Sequence, residues 1–502
     1  GPRQAAMSGQ PPTGRLARLT TDNSFARLPG AFYPRLRPQP LNAPRLLHAN
    51  LDAAALIGLD EQDLADPEFL AVFSGSAPLP GGDTLSAVYS GHQFGVWAGQ
   101  LGDGRAHLLG EVCGPGGNWE LQLKGSGRTP YSRMGDGRAV LRSSVREYLA
   151  SEAMHGLGIP TTRALALVVS DDIVMREQPE TAAIVTRMSP SFVRFGSFEH
   201  WAALDRIDHL QTLADYVIDR FYPQCRDAAG GEPAHPVARL LREVTLRTAD
   251  LMAAWMVVGF CHGVMNTDNM SILGLTLDYG PFGFMDGFDA RHICNHSDTE
   301  GRYAWNVQPS VAHWNLYRLA SALHALVGDA EPLRAALDAY EPAFRQAFHA
   351  RLAAKLGLGE WASDDEALVD GLWRLMHGQR ADFTLTFRRL ADVVRGNPTP
   401  FLDLYADRAA AQSWLDRYRA RLAREPRPAQ ERAQDMDRVN PLYVLRNYLA
   451  EQAIRAAAQG DAGEIDRLLA VLRDPFRERP HAQRYASLPP DWASGISVSC
   501  SS

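Results

Sequence analysis

Between Phe73 and Met188 the apolar positions come in short runs broken by glycine-rich turns, at 87–89, 106–113, 119–124, 164–170 and 182–188. Runs of that length and texture predict β-strands. One longer stretch interrupts them. Over residues 138–157, Val140, Leu141, Val145, Leu149 and Ala153 recur at helical spacing until Gly158-Ile159-Pro160 ends the pattern, which predicts a single helix among the strands. Beyond about Phe198 the period changes, and helices are predicted over 200–221, 236–260, 309–327, 331–356, 366–376, 403–422 and 441–458. Strands first and helices afterwards predict an α+β protein of two lobes. A mixed, β-rich N-lobe covers 73–190, a larger α-helical C-lobe covers 191–485, and a cleft lies between them. Residues 1–72, Pro- and Arg-rich without a period up to about Ala49, read as an extended arm, and 486–502 as a flexible tail. No internal repeat or heptad array is visible.

Composition narrows the function classes. A chain of 502 residues, 45% of them hydrophobic, has room for two or three cores. Its net charge of −7 argues against a nucleic-acid coat or a polybasic membrane surface. The most apolar stretch, 251–265, falls short of the ~20 residues a bilayer crossing needs and contains His262, so no membrane span is expected. Five scattered cysteines do not make a secreted disulfide framework, and a reducing, cytoplasmic setting is the expectation. Residues ahead of Met7 read as an expression remnant. Of the 51 basic residues only Lys124 and Lys355 are lysine. Chance survival accounts for Lys355, whereas Lys124 falls where a compact ammonium can reach a single phosphate oxygen.

In 119–124 the alternation puts Trp119, Leu121 and Leu123 on one face and Glu120, Gln122 and Lys124 on the other. Glu147, 23 residues on, falls at the edge of the apolar stripe of the following helix. A strand lysine paired with a helix glutamate is how protein kinases position a lysine on nucleotide phosphates, although spacing by itself favours an incidental surface pair. Three turns share one pattern within 37 residues: Gly102-Asp103-Gly104-Arg105, Gly125-Ser126-Gly127-Arg128 and Gly135-Asp136-Gly137-Arg138. Each alone reads as a hairpin turn; together, beside Lys124, they point to phosphate binding by backbone N–H groups and guanidinium forks. None completes G-x-G-x-x-G and no P-loop exists. Arg187 and Arg194 flank Ser189-Pro190-Ser191, where a hinge would lie.

After the apolar helix comes Cys261-His262-Gly263-Val264-Met265-Asn266-Thr267-Asp268-Asn269-Met270, then Asp278-Tyr279-Gly280. A buried helix feeding an Asp/Asn loop and then Asp-aromatic-Gly follows the order of a kinase catalytic loop and metal motif. Asp268 would accept a hydroxyl proton, while Asn269 and Asp278 would hold a divalent metal through hard oxygens. The spacing departs from kinases, since Asn269 directly follows Asp268 and no His-Arg-Asp occurs. A third group, Asp289, His292, Cys294, His296 and Asp298, matches no standard metal spacing and reads as structural hydrogen bonding. Cys500 is the third residue from the terminus, on a small-residue arm.

These strings, with Tyr89-Ser90-Gly91-His92-Gln93-Phe94-Gly95, Pro130-Tyr131-Ser132-Arg133 and Asn440-Pro441-Leu442-Tyr443, resemble selenoprotein O and its bacterial cysteine-containing relatives from about Phe73 to Ala457. The resemblance implies a bilobal protein-kinase-like fold and an enzyme that moves AMP from ATP to Ser, Thr or Tyr hydroxyls of proteins. Carried over, Lys124 and Glu147 would hold phosphates with Gly102, Gly104, Arg105, Asp136, Gly137, Arg187 and Arg194. Asp268 would be the proton acceptor, and Asn269 and Asp278 would bind Mg²⁺ or Mn²⁺. The resemblance also matches Cys500 to the family's selenocysteine and implies a pairing with Cys294. ATP and proteins are the implied partners, with neither nucleic acid nor membrane. The residues alone do not choose between AMP and phosphate: a γ-phosphoryl kinase and a non-catalytic nucleotide-binding redox sensor stay open. The arginines around the glycine turns favour an inverted polyphosphate, and the intact Asp268/Asn269/Asp278 set favours an active enzyme.

Overall fold

A computed structural model describes residues 14–227 and 232–499. Strands β1 (Thr20–Thr21) and β2 (Arg45–Ala49) precede a separate hairpin of β3 (Ser90–Gln93) and β4 (Val96–Gln100). Then follow β5 (Ala106–Gly114), β6 (Gly117–Lys124), β7 (Ala139–Val140), β8 (Arg163–Met175) and β9 (Pro179–Ser189). Apart from the hairpin these form one antiparallel sheet in the order β1-β5-β6-β9-β8-β2, with β7 joined to β9.

Alternation sorts the side chains of this sheet onto two faces. Leu121 and Leu123 of β6, with Leu165, Val168 and Ile184, enter a core closed by α1 (Leu51–Leu56), α2 (Glu61–Ala65) and α3 (Pro67–Phe73). On the opposite face Leu167 and Val185 pack with Val145, Tyr148 and Leu149 of α4 (Leu141–Gly156). Both faces being covered, α4 is buried nearly all round, and its polar side chains need partners. Glu152 accordingly accepts from Arg163 Nε and Nη2 at 2.9 and 2.8 Å.

The stretch predicted as an extended arm is instead part of this construction. β2 pairs with β8 at the sheet edge, and Ile57, Phe69 and Phe73 are buried against the sheet. The Pro- and Arg-rich part up to Ala49 shows no period, and the apolar residues of 51–73 are divided among three helices too short to show one, yet the sheet's second face needs a cover. The tail also departs from expectation: Trp492 packs on Tyr448, and the Val498 carbonyl accepts from the His296 N–H at 2.7 Å.

The remaining chain is helical. It opens with α5 (Phe195–Ala203), α6 (Ile207–Phe221), the mostly buried α7 (Pro236–Met256) and α8 (Gln308–Val327). The predicted helix over 200–221 is two, parted at Asp205, whose φ is 51°. Helices at Phe383–Arg388, Leu390–Val394, Ala429–Asp437 and Gly463–Leu472 went unpredicted because short segments leave too few turns for a period. After α7, β10 (Phe260–Cys261) pairs with β11 (Gly283–Phe284), pinning both ends of the loop that carries Asp268 and Asp278. Among the described residues no helix is long and apolar enough to cross a membrane.

Candidate active site

The end of β6 delivers Lys124 toward α4, and its Nζ lies 2.7 Å from Glu147 Oε1. Glu147 Oε2 accepts from Arg187 Nη1 at 3.4 Å and from the Tyr279 N–H at 3.3 Å, so one carboxylate ties β6, β9 and the metal-motif loop together. Burial drives the Glu147 pKa up, but Lys124 and Arg187 outweigh it and the group stays ionised with its pKa lowered. Burial likewise lowers Lys124, with Glu147 opposing.

Asp278 is the next link. Its Oδ1 accepts from Arg187 Nη1 at 2.7 Å, and its Oδ2 from Arg194 Nη1. Burial opposes ionisation, yet Arg194 and Arg187 hold its carboxyl well below the usual range. The backbone there is left-handed, φ 58°, a conformation costly for most residues that Asp tolerates and that this double clamp sustains. Three cations thus meet two carboxylates, and the excess is positive.

Asp268 stands on a single 3-10 turn, Thr267–Asn269, with 6% of its surface exposed. Its Oδ2 receives Gln93 Nε2 at 3.4 Å, while Oδ1 is buried without a hydrogen-bond partner. Burial pushes its pKa up to about 7, Arg194 pulling it down and Asp278 adding to the rise. Gly91 passes so close that a Cβ there would sit 2.5 Å from Asp268 Oδ1, so only glycine lets the hairpin cross this carboxylate. Asn269 Nδ2 donates to the Val264 carbonyl at 2.9 Å, which leaves its Oδ1 available to a cation.

These residues line one cleft of about 840 Å³, within the usual range for small-molecule sites. Gly102, Gly104, Arg105, Lys124, Asp136, Gly137, Arg187, Asp268, Asn269 and Asp278 all face it. Two of the candidates for phosphate binding do not. Glu147 is buried behind Lys124, and Arg194, 2% exposed, lies behind Asp278, where it also donates to the Asp268 carbonyl at 2.7 Å. Arg194 therefore acts on the cleft through Asp278, not by direct contact.

The glycine turns stack. Gly127 N–H donates to Gly137 O at 2.9 Å, and a Cβ on Gly137 would come within 2.2 Å of the Gly127 carbonyl carbon. Asp136 is fully engaged by Arg176, at 2.9 and 3.1 Å, so it presents that guanidinium to the cleft. Arg176 had no sequence signal, because a β8–β9 turn residue meets Asp136 only through tertiary pairing. Arg138 is held by the Gln39 carbonyl at 2.7 Å, leaving Arg105 and Arg128 as the open forks.

Among the described residues no group of His, Cys, Asp and Glu is arranged to hold a metal ion by itself, and Asp298 instead caps the Arg302 and Tyr303 N–H groups at 2.9 Å. Cys294 Sγ lies 3.0 Å from Cys261 Sγ, both thiols free, and burial pushes the Cys294 pKa well up. Cys500 lies outside the described residues. Lys355, ascribed to chance, has a specific setting: 3% exposed over the Phe387 ring, with its pKa lowered by burial to about 7, it can shed a proton that an arginine would have to keep.

A family model described as protein adenylyltransferase SelO matches residues 15–473. A protein nucleotidyltransferase YdiU of Bordetella petrii is 73% identical over 492 residues, 97% of this chain and 99% of the relative. The protein of that name from Dechloromonas aromatica is 56% identical over 490 residues, covering 96% and 97% of the two chains.

Proposed function

This chain belongs to the SelO family of protein adenylyltransferases, and on that premise we propose how its residues move AMP from ATP to Ser, Thr or Tyr hydroxyls of proteins. The chain is a nucleotidyltransferase with ATP as its substrate. Its sheet and α4 form one lobe of a kinase-like pair, the helices from α5 onward the other. Lys124, Arg187, Arg105 and the stacked glycine turns take the polyphosphate, with Gly102, Gly104, Asp136 and Gly137 shaping the cradle and Arg176 presented by Asp136. Glu147 and Arg194 are positioning residues that hold Lys124 and Asp278.

The observation that carries the reading is a buried Asp268 with one partnerless carboxylate oxygen, lining the same cleft as Lys124, Arg105 and Arg187. A buried carboxylate oxygen without a donor is costly unless a ligand supplies one. The acceptor hydroxyl supplies a donor to that carboxylate. Its oxygen bonds to the α-phosphorus, the bond to the bridging oxygen breaks, pyrophosphate leaves with the electron pair, and the proton passes to the Asp268 carboxylate. The ionised Asp278 and the free Asn269 Oδ1 suit a hard divalent cation, Mg²⁺ or Mn²⁺. When bound, it neutralises charge on the reacting phosphates.

Incubation with ATP labelled at either the α- or the γ-phosphate tests the reading. Label from the α position is expected on protein Ser, Thr or Tyr; transfer of γ-label alone would make the chain a kinase.

The pairing of Cys294 with Cys500 is part of the same proposal. It is supported by the docked tail, since Val498 bonds His296, two residues from Cys294. Disulfide formation removes two protons and passes two electrons to an oxidant. In a cytoplasmic setting it would therefore follow oxidative conditions. Peptide mapping of oxidised, non-reduced protein is expected to yield a Cys294–Cys500 cross-link. A Cys261–Cys294 cross-link in its place would leave the tail without a redox role.

A further inference from the structure

The β3–β4 hairpin is bound on one side and bare on the other. On β3, His92 N–H donates to Thr267 Oγ1 at 2.7 Å. At the turn, Phe94 N–H reaches Asn266 Oδ1 at 3.1 Å and Tyr303 Oη at 2.9 Å. The hairpin is thereby fastened to the loop that carries Asp268. Among the described residues β4 has no strand beyond it. Phe94, Val96 and Trp97 are 38%, 69% and 42% exposed, and Gln93 and Phe94 line the cleft itself. Single exposed apolar side chains are ordinary, but three within four positions at a cleft mouth mark an interaction surface.

Beside them lies an unusual pair of cations. Trp314 on α8 carries Arg302 and Arg318 over its ring at 4.9 and 5.1 Å, and the His92 ring links it to Trp97, with centroids at 5.5 and 5.0 Å. Among the described residues neither guanidinium has a carboxylate within ion-pair distance, and both Nε atoms are buried without a partner. Glu199 acts on Arg318 only at longer range. Half-buried guanidiniums to which the described residues bring no carboxylate offer donors to a carboxylate from elsewhere.

We propose that this surface docks the acceptor protein. An extended segment lies along β4 with an apolar side chain on Val96 and Trp97, and acidic side chains flanking the modified hydroxyl meet Arg302 and Arg318. The occupant follows from continuity: the hairpin borders the cleft that holds Asp268, and a protein hydroxyl has to arrive there. An unpaired strand edge supplies backbone affinity, while the two arginines supply charge selection on a chain that is acidic as a whole. The inference rests on Asp268 receiving the acceptor proton.

Two fluorescently labelled serine peptides test it with the full chain, one with aspartates flanking the serine and a leucine beside them, the other with lysines in place of the aspartates. Anisotropy is expected to show roughly tenfold or tighter binding of the aspartate peptide, weakening with salt. Arg302→Gln with Arg318→Gln should erase that preference, and Trp97→Ser should weaken both peptides. Neither change should move the KM for ATP. Equal binding of the two peptides to the unaltered chain would overturn the proposal, whatever the variants do. Charge-selective binding by a chain whose AMP transfer survives Asp268→Ala would support the docking surface and count against the Asp268 reading, so the two fail separately.

Discussion

Asp278→Ala is expected to lower AMP transfer by on the order of a thousandfold, the several kcal/mol that metal-assisted charge neutralisation contributes. Two losses combine. The ionised oxygen that suits a divalent cation disappears, and Arg187 and Arg194, 5% and 2% exposed, lose the carboxylate that both contact. Stranding buried charge costs about 3–5 kcal/mol, so the variant should also melt earlier. Asp278→Asn separates the two effects: it retains one acceptor oxygen for the two arginines but not the charge, and should recover part of the melting temperature while staying inactive. Asn269→Ala, which removes a neutral oxygen, should be milder. The measurement is α-labelled transfer with Mg²⁺ and with Mn²⁺, next to a melting curve for each variant. Full activity in Asp278→Ala would remove Asp278 from the metal site.

Lys124→Arg should cost about a hundredfold in kcat/KM for ATP although the charge is kept. The ammonium occupies a narrow position, 2.7 Å from Glu147 Oε1, while Arg187 already takes Glu147 Oε2. A guanidinium is longer, planar and fork-shaped, and would be driven into the cleft where the phosphates lie; a displacement near 1 Å is enough for a loss of that size. In a chain with 49 arginines and two lysines the substitution is otherwise the commonplace one. Wild-type turnover would show that Lys124 does not hold the phosphates.

What the sequence determined by itself is what short-range periodicity encodes. Alternation in β6 separates Leu121 and Leu123 from Lys124, and the helical period of α4 sets Glu147 at the stripe edge. The unbroken strings around Asp268 and Asp278 carry the family resemblance. Such signals survive in one dimension because neighbours in the chain are neighbours in space.

Tertiary structure decided the rest. It folded residues 45–73 onto the sheet as β2 and α1–α3, because an exposed apolar face had to be covered, a demand that elements this short do not display as a period. It moved Arg194 off the phosphate wall to clamp Asp278, 84 residues away, and gave Asp136 to Arg176 across 40. It brought Cys261, not only the tail, to Cys294, and laid Gly91 and Gln93 against Asp268, 175 residues from Gln93. None of these pairs has a period or a motif. Each exists because a buried charge, thiol or orphaned carboxylate took its partner from whatever packing brought within reach, and packing distance is a quantity that spacing along the chain does not carry.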